Sequence, residues 1–74
     1  MRSLKVNIEE DVYSVLQPIT TINLYKIVHN KGSFEITRSR HSGEWKVLIQ
    51  TNHSVILPVA PIGKAIEEKF GIVN

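Results

Sequence analysis

The sequence predicts an α+β domain: an antiparallel meander of three to four strands, with one helix before it and one helix after. Three observations carry this prediction. Three apolar runs, Phe34–Thr37, Trp45–Ile49 and Val55–Val59, are separated by the polar breaks His41-Ser42-Gly43 and Asn52-His53-Ser54. Gly and Asn tolerate the positive φ of a tight turn, so each break can reverse the chain. The segments 8–16 and 61–70 instead space their apolar residues at helical intervals on either side of those runs.

Taken in order, Leu4, Val6 and Ile8 alternate with polar residues and suit a short strand. A helix is then expected from about Ile8 to Leu16. Asn7 with Glu10 resembles a capping box, and Glu9, Glu10 and Asp11 would meet the positive end of the helix dipole. Ile8, Val12, Val15 and Leu16 would form its buried stripe, and Pro18 would end it. Residues 20–30 suit two readings. A Thr21-capped helix would use Leu24, Tyr25 and Val28, whereas the β-branched content favours a strand closed onto Phe34 by Asn30-Lys31-Gly32.

In the meander, alternation puts Phe34, Ile36, Arg38 and Arg40 on one face, with both arginines running out into solvent. Trp45, Val47 and Ile49 share one face of the next strand, and Leu48 makes the other partly apolar, which predicts a central strand. Pro58 removes a ladder donor, which places the third run at an edge or Pro58 at the run's frayed end. Pro61 opens the last helix, Ile62, Ala65, Ile66 and Phe70 form its stripe, and Gly71 stops it, with Ile72 and Val73 folding back.

Seventy-four residues make a single domain, 1–74, with a modest core. The chain has no cysteine, which excludes disulfides and thiolate metal sites. It has no apolar run long enough to span a membrane, and its first seven residues lack a signal-peptide core, so a soluble, cytoplasmic protein is expected. The charge is uneven. The chain's net charge is +2, yet residues 21–50 alone carry +3, from Lys26, Lys31, Arg38, Arg40 and Lys46 against Glu35 and Glu44. Residues 1–20 carry −1. A localised basic stretch is a footprint for phosphate, so Lys31, Arg38, Arg40 and Lys46 are the candidate nucleic-acid contacts.

Chemistry narrows to one residue. His29, His41 and His53 each fall at a predicted turn, with His41 at the opposite end of the sheet from the other two, so no three-histidine metal site is expected. No Gly-rich phosphate loop or serine elbow is present, and no cofactor is implied. His41 lies between Arg40 and Gly43, and an imidazole beside arginines is the minimal apparatus for acid–base cleavage of RNA through its own 2′-hydroxyl.

The segments L-Y-K-I-V-H-N-K-G, F-E-I-T-R-S-R-H-S-G, V-I-L-P-V and A-I-E-E-K-F-G-I resemble, in order and spacing, the HicA toxins over residues 24–72. That family cleaves RNA on a double-stranded-RNA-binding-like fold, with a helix in place of the first segment. The resemblance implies an RNA-directed ribonuclease in which His41 carries catalysis. The family's G-S-H is here Arg40-His41-Ser42-Gly43, a serine separates Gly32 from Phe34, Ala60 follows P-V where the family often has a histidine, and about twenty N-terminal residues have no counterpart. The alternative is a non-enzymatic interaction module that binds a protein partner or forms a homodimer through a free sheet edge or the Trp45 face.

Overall fold

The computed structural model describes residues 1–72. Within them five strands form one antiparallel sheet in chain order: β1 (Arg2–Ile8), β2 (Asp11–Gln17), β3 (Leu24–His29), β4 (Gly32–Arg38) and β5 (Trp45–Gln50). One helix, α1 (Val59–Phe70), follows. The α+β class and the closing helix are as predicted; the helix before the sheet and the strand count of three to four are not.

Residues 8–16 form a hairpin rather than a helix. All seven residues of β1 pair with β2, from Arg2 opposite Gln17 to Ile8 opposite Asp11. Glu9 and Glu10 are the turn, and Glu9 takes a φ of 57°, which a residue with a Cβ rarely adopts. A helix this short has little stability of its own. The hairpin instead satisfies two segments' backbone groups at once and buries Val6, Tyr13 and Val15 on one face. The acidic triplet therefore marks a solvated turn and its first strand residue, not a helix N-terminus.

Residues 24–29 are a strand, which settles the open choice and differs from the helix implied there by the resemblance. Tyr25 and Ile27 are fully buried, and β3 pairs with β4 through His29 opposite Gly32. The Trp45 strand is an edge, not a central strand, since β5 pairs with β4 alone. No strand forms over Val55–Val59. The Gln50 side-chain amide donates to the carbonyls of Asn52 (2.9 Å) and Val55 (3.1 Å), which curls the chain away from the ladder. Leu57 then drops into the core, and the helix begins at Val59.

The helix lies on the sheet face that carries Tyr25, Ile27 and Ile36 and touches both edge strands, β1 and β5. Ile62 and Ile66 are fully buried, each stabilising the fold by about 1.5–3 kcal/mol of apolar burial. Phe70 is half-buried, with Tyr25 at 6.2 Å on one side and the Arg2 guanidinium at 4.4 Å over the ring. Gly71 is left-handed (φ 68°), and the N–H groups of Gly71 and Ile72 both donate to the Glu67 carbonyl, the expected stop. Ile72 packs back onto the core as predicted, while Val73 lies outside the described residues.

Candidate functional site

The predicted basic set does not converge. Arg38, the last residue of β4, points to the core side and is 7% exposed rather than solvated. Its Nε donates to Glu67 Oε2 at 3.0 Å, and Trp45 Nε1 donates to the same oxygen at 3.0 Å. These two hydrogen bonds, Trp45's first, hold the Glu67 carboxyl below the usual carboxylate range. The trio fastens the end of the sheet to α1, so the Arg38 charge is already used within the fold.

Arg40 and His41 are exposed on the loop between β4 and β5. The loop is closed by Ser39 N–H donating to the Glu44 carbonyl (2.8 Å) and Gly43 N–H donating to the Ser39 carbonyl (3.0 Å). Ser39 Oγ accepts from the amides of His41 and Ser42, each at 3.3 Å. Lys46 stands opposite Thr37 and so projects from the open face, away from Arg38. Lys31 sits in the β3–β4 turn, at the other end of a strand that spans about 20 Å. The structure brings together Arg40 and His41 alone.

A cluster that sequence reasoning missed joins β2 to β3. His29 Nε2 lies 3.2 Å from Asp11 Oδ1, and its ring stacks on Tyr13 with centroids 4.5 Å apart. The Lys31 N–H donates to Nδ1 at 3.3 Å, which leaves Nε2 as the protonated nitrogen facing the carboxylate. Burial first, then Asp11 and Glu9, raises the Tyr13 phenol above its ordinary pKa. A carboxylate–imidazole pair can relay protons, but the His29 side chain is 4% exposed and both its ring nitrogens are already engaged, by Asp11 and by the Lys31 N–H. The pair is illegible in the sequence because a helix over 8–16 leaves Asp11 with no cross-strand neighbour.

The remaining feature is an uncovered surface. All five aromatic residues, Tyr13, Tyr25, Phe34, Trp45 and Phe70, belong to the core side. The open face carries no ring on which a base could stack. It presents Val12, Val28 and Ile49 among Lys5, Lys26 and Lys46, with Lys26 directly opposite Glu35. At one end Pro18, Ile19, Ile22 and Leu24 line a shallow apolar hollow of ≈ 60 Å³. At the β5 edge three consecutive apolar residues are exposed: Val47 by 36%, Leu48 by 57% and Ile49 by 57%. The other edge differs, because the outward residues of β1 are Ser3, Lys5 and Asn7.

Among the described residues no helix is long and apolar enough to cross a membrane. No protein-family model matches the chain, and no curated protein or solved structure matches it.

Proposed function

We propose that this chain is a small, non-enzymatic cytoplasmic interaction module that works by associating through its sheet, with a second copy or another protein. The observation that carries this reading is the β5 edge, where an unpaired backbone and the side chains of Val47, Leu48 and Ile49 are exposed together. Edges of soluble proteins are ordinarily guarded by charge, proline or a covering element. Here one lysine, Lys46, is the only charged residue of the strand. Sedimentation of the intact chain tests the reading. Association that persists at high salt supports it, because apolar and backbone contacts are weakly screened. A chain that stays monomeric at high micromolar concentration and binds no partner through this surface overturns it.

A second reading, an RNA-directed protein of the HicA-like kind, rests on Arg40 and His41 sharing one exposed, hydrogen-bonded loop. Under it, Arg40→Ala weakens RNA binding and flattens its salt dependence by about 0.7–0.9 logarithmic units for each phosphate no longer neutralised. His41→Ala then abolishes cleavage while binding survives. Absence of RNA affinity at low salt removes this reading. Binding without cleavage removes its catalytic half.

A further inference from the structure

The partner that the β5 edge fits best is a second copy of this chain, and the strand itself restricts the register. We propose that two copies pair β5 to β5, antiparallel about a two-fold axis between Val47 and Leu48, forming one ten-stranded sheet; this rests on the association reading above. A bulge in β5 decides which side chains share a face. Glu35 pairs with Ile49 and Ile36 with Val47, so Leu48 is an extra residue and the alternation shifts by one. Trp45 and Gln50 consequently lie opposite Arg38 and Phe34, on the core side. Lys46 and Ile49 lie opposite Thr37 and Glu35, on the open side.

A two-fold pairing is self-complementary, so residues opposite each other must share a face. Placing the axis between Val47 and Leu48 sets Trp45 opposite Gln50 and Lys46 opposite Ile49, matching both faces. An axis through Val47 would set Trp45 opposite Ile49, core side against open side. An axis through Leu48 mismatches Lys46 with Gln50 in the same way. An axis through Lys46 matches faces but opposes two lysines, which is destabilising. An axis between Leu48 and Ile49 sets Trp45 and Lys46 opposite residues beyond the strand, which ends at Gln50. The favoured register opposes no like charges and covers Val47, Leu48 and Ile49 of both copies. It also gives partners to the outward N–H and C=O groups of β5.

The test uses position 49, whose exposure keeps its substitution out of the core. In this register Ile49→Lys places a lysine opposite Lys46 twice per dimer, and Ile49→Glu places a carboxylate there. Sedimentation should show the lysine variant associating about tenfold more weakly than the glutamate variant, from two cross-strand charge pairs. Circular dichroism melts should show both folded. The absence of native cysteine permits a second arm. A chain carrying Lys46→Cys with Ile49→Cys should form a disulfide-linked dimer on mild oxidation, since opposed Cα atoms fall within the roughly 7 Å a disulfide allows. Lys5→Cys on the β1 edge should not. A dimer that ignores the sign of the charge at position 49 and cross-links through position 5 overturns the β5 pairing and leaves the association reading standing. A monomer at every concentration overturns both.

Discussion

Arg38 is the residue at which the basic stretch changes meaning. Arg38 and Arg40 stand two apart, a spacing that predicts joint projection into solvent. The strand ends at Arg38, whose Nε donates to Glu67, and Arg40 belongs to the loop beyond. Sequence spacing could not reveal this, because Glu67 lies on an element that packs from elsewhere in the chain. The two substitutions should therefore separate in denaturation. Arg38→Ala should cost about 1.5–3 kcal/mol through loss of a charge-assisted hydrogen bond, while Arg40→Ala should stay within about 0.5 kcal/mol. Glu67 supplies the pH dependence. Its carboxyl pKa is lowered in the fold, by the Trp45 and Arg38 hydrogen bonds. Its contribution is thus present above the unfolded carboxylate pKa of about 4.3 and is lost as pH falls through the folded value. Glu67→Gln should flatten the acid limb of the stability curve. Melting profiles with the same acid slope as the parent would remove Glu67 from this role.

At the scale of elements, what could be read depended on whether a pattern was local. The helix stop at Gly71 and the Ile62/Ile66 stripe depend on near neighbours and were legible. The β3–β4 hairpin was legible only as one of two readings, because β-branched residues flank a compact turn but Leu24, Tyr25 and Val28 also suit a Thr21-capped helix. The β1–β2 hairpin was not, since acids after Asn7 and apolar residues at 8, 12, 15 and 16 satisfy helical spacing equally well. Only the need to pair β1 decides between them. The run over Val55–Val59 misled in the opposite direction, as Leu57 is buried singly on the way into the helix. Gly63 shows how closely α1 sits on the sheet. A Cβ there would meet the Trp45 ring at 2.5 Å. Alanine would gain about 1 kcal/mol of helix propensity. Overpacking costs about 1–3 kcal/mol, and the ring is held by its bond to Glu67. The clash should prevail, so Gly63→Ala should lower the melting temperature and change the Trp45 fluorescence. A more stable variant with unchanged fluorescence would contradict the packing.

For the whole molecule, an open sheet face and a lightly guarded edge matter more than the +2 net charge. The basic excess was visible in the sequence, but not its dispersal over a turn, a loop, an ion pair and the open face. The edge was concealed as well, because an apolar Trp45 strand reads as central until the neighbouring strand is known to be absent. The association reading and the two-fold pairing both depend on β5 being an association surface. Concentration-dependent hydrogen exchange on the intact chain at high salt decides the matter. Protection of the outward-facing amides of Trp45–Gln50 should rise with protein concentration by more than that of the interior strand β3, which gains only the stabilisation of the whole fold by dimerisation. Exchange in β5 that is fast and independent of concentration would contradict it.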